Sequence, residues 1–328
     1  MGRGIELAVL GAVGLNGDNV LQLIGERKLP VSGVRVLDGD DYLGRKVDFG
    51  GKLLTLDSYN NFSFKEIDLA IACGEMPEGL IEQALDQGCT VIGPVSGNSD
   101  VEPVIADIGL DRLRLDKGEF YAVPFALPSV LASILSPLHD EAGVTAVEAT
   151  WVSAVGNHGR TAIEGLAHET TQLLSGKTVS AKAFKEKIAF NMLAIDSARE
   201  TAAFSNLWQS LWGEELSLSL NAVIAPLFFG DMLSMNITVE QPTVVEDLQQ
   251  VLDSVAWFKQ KTADDNILLS SDATVGSDHI ALSSLQPLDE QNRRFGLVAA
   301  VDVPRFGFAL NITKLTEYLA KKLFISYS

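Results

Sequence analysis

Gly11-Ala-Val-Gly14-Leu-Asn-Gly17 is the stretch whose spacing points most directly to a ligand. Glycines at every third position allow a tight turn and a close backbone approach. The residues after them read as a helix, whose first N–H groups lack intrahelical partners and can receive a pyrophosphate. Asp38 stands 21 residues beyond Gly17, at the end of the next apolar stretch, where a carboxylate meets a ribose 2′-hydroxyl. The expected nucleotide contacts are therefore Gly11, Val13, Gly14, Leu15, Asn16, Gly17 and Asp38. His158 and Arg160 stand close together in the glycine loop Ala154–Arg160, but with no nucleophile beside them they read as a solvated turn. The 4 histidines have no Cys or His partner at ligand spacing, so no metal site is expected.

These residues need elements to position them. Ile5–Leu10 is a short apolar run of the buried parallel-strand type, and a helix is expected over Asp18–Glu26. Gly33–Leu37, Ile67–Ala72 and Gly88–Gly93 supply further strands, with a helix over Pro77–Gln87. Strand and helix alternate, which implies right-handed crossovers and an open parallel sheet. Past Pro137 the pattern changes. Val144–Ser153, Leu216–Ile224 and Met235–Glu240 alternate as strands, and helices are expected over Thr161–Leu174, Glu200–Trp212 and Thr243–Lys261. A final helix is expected over Ile312–Phe324.

With 328 residues, 47% hydrophobic and 21% charged, the chain is long enough for two medium domains with ordinary cores. A formal charge of −18 argues against a nucleic-acid surface, which needs clustered Lys and Arg. No apolar run approaches the roughly 18 residues of a membrane helix. The first residues enter a strand at once, without a leader's apolar core, and Cys73 and Cys89 do not make a disulfide framework. A cytoplasmic protein is expected.

Several stretches carry a family resemblance. Tyr121-Ala-Val-Pro-Phe-Ala-Leu-Pro-Ser129, Ile188-Ala-Phe-Asn-Met-Leu-Ala-Ile-Asp196, Ala225-Pro-Leu-Phe-Phe-Gly-Asp231 and Asp302-Val-Pro-Arg-Phe-Gly-Phe-Ala-Leu-Asn311 are similar, in order, to segments of the aspartate-semialdehyde dehydrogenases. With Gly11–Gly17 they extend the resemblance over about residues 4–325. It implies an α/β fold. An N-terminal NAD(P)-binding Rossmann-like domain, residues 1–127 with 303–328, would carry an α+β semialdehyde-dehydrogenase dimerisation domain, residues 128–302. It also implies a homodimer, and adds Cys73 and Gly74 to the positions near a cofactor.

The family's reacting positions have changed. Its cysteine nucleophile aligns with Ala126 and its acid/base histidine with Asp231. Its substrate arginines align with Ile224 and about Ser99, its substrate lysine with Ala202, its orienting glutamine with Ser153 and its nicotinamide-side asparagine with Val303. Asp41 falls where an arginine would meet the NADP 2′-phosphate, beside Asp38 and Asp40, so NADP is disfavoured and the cofactor is NAD or none. A methyl group cannot attack a carbonyl, so no catalytic residue is assigned. The pattern is most similar to the Usg-type paralogues that lack the cysteine. Three readings follow. The chain is a non-catalytic dimeric binding protein, an NAD-dependent oxidoreductase with altered, non-covalent chemistry, or an aspartate-semialdehyde dehydrogenase of amino-acid biosynthesis.

Overall fold

The computed structural model describes residues 4–60, 62–95, 101–110, 113–260 and 269–324. The chain divides into two compact units, one made of Met1–Phe125 with Phe308–Ser328 and the other of Ala126–Gly307. The first has a parallel sheet flanked by helices and the second a mixed sheet, which is the expected fold class.

In the first unit, β1 (Ile5–Leu10) buries every side chain but Glu6, as a strand covered on both faces must. It is followed by α1 (Leu15–Glu26), β2 (Val31–Asp38), a hairpin of β3 (Lys46–Phe49) and β4 (Lys52–Thr55), and β5 (Asp57–Ser58). Next come β6 (Leu69–Ala72), α2 (Leu80–Asp86), β7 (Thr90–Pro94), α3 (Ala106–Gly109) and β8 (Phe120–Val123). The parallel sheet runs β5-β2-β1-β6-β7-β8. Winding reverses direction between β1 and β6, and that reversal opens a crevice at the carboxyl ends of the strands.

Helix α1 begins at Leu15, three residues before the expected start at Asp18, so Gly17 lies inside its first turn. A Cβ on Gly17 would stand 2.5 Å from the Ala12 carbonyl oxygen, so only glycine lets helix and turn close this tightly. Gly14 stands just before the helix at φ 129°, with no side-chain cap on the first turn.

The second unit opens with α4 (Ala126–Ala142), which is buried along most of its length. Then come β9 (Val144–Ala154), α5 (Arg160–Leu174), β10 (Leu193–Ile195), α6 (Ala198–Trp212), β11 (Ser217–Ala225) and β12 (Asp231–Val239). After α7 (Val245–Ser254) follow β13 (Phe258–Gln260), β14 (Ile280–Leu282), β15 (Gln286–Pro287) and β16 (Arg294–Val301). The sheet path is β10-β11-β9-β12-β16-β14-β13, with β15 also on β16. Helix α7 stops at Ser254 instead of continuing to Lys261. Its amphipathic period gives way to Val255-Ala-Trp-Phe258, and Phe258 buries itself as a strand beside Ile280.

Helices α4 and α6 meet through aromatic rings: Trp208 stacks on Trp212 at 4.1 Å, and His139 stands edge-on to them at 5.0 and 5.5 Å. Residues on the other sheet face, including Ser219, Glu148, Asn236, Asn221 and Ser234, are exposed. The buried Glu169 of α5 accepts from Ile188 N at 2.8 Å and Ala189 N at 3.1 Å, holding the turn that sets the exposed Phe190 at φ 57°. The chain then returns to the first unit in α8 (Asn311–Leu319), extended by wider π turns over Ala320–Phe324. Asn311 fastens it there, accepting from Ala106 N at 2.7 Å and donating to Val104 O at 3.1 Å.

Gly17→Ala is expected to destabilise the chain by about 1–3 kcal/mol, because backbone and not a movable side chain blocks the new methyl. Gly25→Ala, in the same helix, would meet only Gly50 at 3.4 Å. It should gain up to about 1 kcal/mol from helix propensity. Urea unfolding followed by far-UV circular dichroism checks the pair, and a Gly17→Ala chain as stable as the parent would refute the packing argument.

Candidate functional site

The glycine turn and its expected partners come together at the carboxyl end of the parallel sheet. Asp38 Oδ2 accepts from Val13 N at 2.8 Å, and its Oδ1 accepts from Gly39 N at 2.8 Å. Asn16 Nδ2 donates to the Cys73 carbonyl at 3.0 Å, linking the start of α1 to the end of β6. Gly74 follows Cys73 there, and a Cβ on Gly14 would meet nothing within 4 Å. An uncapped first turn behind an open glycine fits a pyrophosphate. Cys73 is buried. Burial, then the charges of Asp38 and Asp18, push its thiol well above the ordinary range, so it offers the site a carbonyl and not a thiolate. Asp40 and Asp41 are exposed on the loop after β2, and Asp40 already accepts from Ser58 Oγ and from Asn60 Nδ2, the latter at 2.7 Å.

Sequence reading missed Tyr59 and Met76. A Cβ on Gly11 would stand 3.7 Å from the Tyr59 hydroxyl and 3.2 Å from Met76 Cε. Tyr59 follows β5, a two-residue strand that carries no alternation to detect.

In the second unit, Ala126 is the first residue of α4, and Gly307 packs against its carbonyl so closely that a Cβ there would collide with it. Asp231 opens β12 with a buried carboxylate. Its Oδ1 accepts from Trp151 Nε1 at 3.1 Å, Ala154 N at 3.0 Å and Asn157 Nδ2 at 2.5 Å, and its Oδ2 from Val303 N at 3.3 Å. Every one of these partners is a donor. Burial pushes the carboxyl up to about 7, and the same four N–H groups pull the other way.

Ile224 is buried with Val155, Leu166 and Ile188 in a hydrophobic cluster. Ser153 is buried, with its hydroxyl 3.0 Å from Asn157 Nδ2 and 3.4 Å from His158 Nε2. His158 packs edge-on against Phe184 at 5.5 Å, and Arg160 opens α5. Ala202 is exposed on α6, and Val303 contributes its backbone N–H. Ser99 lies outside the described residues. Among the described residues, no group of three His, Cys, Asp or Glu could hold a metal ion.

A nucleotide-type α/β unit joined to a mixed-sheet unit, with a helix N-terminus and a β12 side chain at the reacting positions, defines the architecture of the semialdehyde dehydrogenases. The family profile described as semialdehyde dehydrogenase, dimerisation domain, matches residues 135–303, and the chain belongs to that family. The USG-1 protein homolog of Pseudomonas aeruginosa is 28% identical over 336 residues, which cover 98% of this chain and 99% of that protein. The aspartate-semialdehyde dehydrogenase of Rickettsia bellii is 25% identical over 337 residues, covering 98% and 99%. Among solved structures, a probable aspartate-semialdehyde dehydrogenase from Pseudomonas aeruginosa superposes with a TM-score of 0.89 at 26% identity, covering 97% of this chain and 99% of that one.

The Asp231 carboxyl has a pH signature. Its folded value of about 7 lies above the ordinary 3.8, so the native chain holds the proton more tightly than the unfolded chain. Stability from this group is therefore full at low pH, falls as pH rises towards 7, and is level above it. Between pH 5.5 and 7 the fall should be about 2 kcal/mol, and Asp231→Asn should lack it. Urea midpoints of both proteins, read by tryptophan fluorescence across pH 5.5–8, test this. Parallel profiles would remove Asp231 as the source.

Proposed function

We propose that this chain is a non-catalytic, Usg-like member of the semialdehyde dehydrogenase family, a cytoplasmic homodimer that acts by binding. The observation that carries the reading is the state of the two reacting positions. Ala126 offers a methyl group where the family's chemistry needs a thiolate to form a thioester. Asp231 stands where the family's chemistry uses a histidine, and it is a buried carboxyl tied by four N–H donors to the end of β9, the turn after it and Val303. The buried Ile224 and exposed Ala202 offer no positive charge to an anionic substrate. The open sheet face through Asn221, Thr150 and Ser234 belongs to the region matched by the dimerisation profile, which supports pairing through the second unit.

The nucleotide reading assigns Gly11–Gly17, Asp38 and the Cys73–Gly74 backbone to a dinucleotide, with NAD preferred. Acidic Asp38, Asp40 and Asp41 oppose the 2′-phosphate of NADP by like charge. The intact turn also supports a second reading, an NAD-dependent oxidoreductase that uses no covalent intermediate. Tighter binding of NADP than NAD in a calorimetric titration would overturn the preference.

The purified chain should be a dimer by light scattering at micromolar concentration. It should show no phosphate-dependent reduction of NAD or NADP with aspartate semialdehyde. Ala126→Cys should stay inactive, because the new thiol gains no histidine base and no cation at Ile224 or Ala202 holds the substrate. Loss of acid–base help alone typically removes roughly 10²–10⁴ in rate. Robust turnover by the unmodified chain would falsify the non-catalytic reading, and a monomer would remove the dimer from it.

A further inference from the structure

We infer that Tyr59 is a ribose-side specificity residue of the first unit, its phenol donating to one hydroxyl of an adenosine diol while Asp38 accepts from the other. The inference rests on the nucleotide reading above and adds a ligand group to it.

Tyr59 N donates to the Asp38 carbonyl at 3.2 Å, so the two residues share one end of the sheet. The Tyr59 ring is held by packing against the cluster that contains Leu10, Leu37, Phe64 and Ile67. Its hydroxyl thereby reaches the first glycine of the turn, 3.7 Å from where a Gly11 Cβ would stand, with Met76 beside it. A larger residue at position 11 would be strained at φ 68° and would also close this approach.

A phenol offers one proton and accepts through its oxygen. The Gly11 backbone N–H points at the Tyr59 oxygen, a contact that does not use the phenol's own proton. Burial, and then the nearby Asp38 charge, raise this phenol above its ordinary range, so it remains a donor at neutral pH. Asp38 has one backbone N–H on each oxygen, and a carboxylate has about four acceptor sites, so each oxygen can take one more donor. One phenol donor and one carboxylate with spare acceptor sites beside the same turn match a vicinal diol, whose hydroxyls can each give and take a hydrogen bond. A phosphate on either hydroxyl would remove the proton that Asp38 needs and add charge beside it.

The test is calorimetric titration of the full chain with NAD, comparing the parent with Tyr59→Phe, which keeps the ring and removes the hydroxyl. NAD should bind Tyr59→Phe about tenfold more weakly, the loss of one hydrogen bond. The same titrations with the 2′-deoxy- and 3′-deoxyadenosine analogues of NAD separate a contact from a packing effect. With the analogue lacking the hydroxyl that Tyr59 meets, parent and variant should bind alike. Equal NAD binding by parent and variant overturns the role of Tyr59 and leaves the nucleotide reading standing. A variant defect that persists undiminished with both analogues also overturns it, since the ring's surroundings would then be the cause. Absence of NAD binding by the parent overturns both.

Discussion

A single buried carboxylate ties distant parts of the second unit to one another. Asp231 gathers the end of β9, the turn after it and the residue beyond β16 onto two oxygens. Four donors without a competing acceptor make this a fully satisfied polar network, the kind that fixes one arrangement of strands. The opposing cost is also visible, because burial raises the carboxyl to about 7 despite those donors.

A division between scaffold and chemistry runs through the chain. Gly17, Gly230 and Gly307 each stand where a Cβ would strike neighbouring backbone. Asn311 still fastens the returning helix, and the Ile188–Ala189 turn is still held by a buried glutamate. These positions are demanded by packing whatever the protein does. The positions proposed above to have lost a substrate role carry Ala126, Ala202 and Ile224, and Ile224 lies in a hydrophobic cluster.

Much of this could be read before any coordinates. The apolar runs that end at Leu10 and Ala72 are strands because, Glu6 and Asp68 apart, their side chains have no polar face to turn outward. The glycine spacing and Asp38 were legible because turn chemistry is local. Helix ends were less so. Gly17 weakens a helix start by propensity, yet close packing on Ala12 admits it, and the apolar period of α7 gives no sign that Phe258 will bury itself in a sheet. Least legible were the contacts. The donors to Asp231 come from Trp151, Asn157 and Val303, far away along the chain, and Tyr59 follows a strand too short to show a pattern.

The distribution of indoles separates the two units optically. All 4 tryptophans, at positions 151, 208, 212 and 257, fall in the second unit. One bonds the central carboxylate and two stack on each other, so their emission reports directly on that unit's packed interior. The nucleotide-type unit contributes only tyrosine and phenylalanine. Melting seen by indole emission and by far-UV dichroism will coincide only where the two units unfold together. A gap between the curves would measure how independently each one stands.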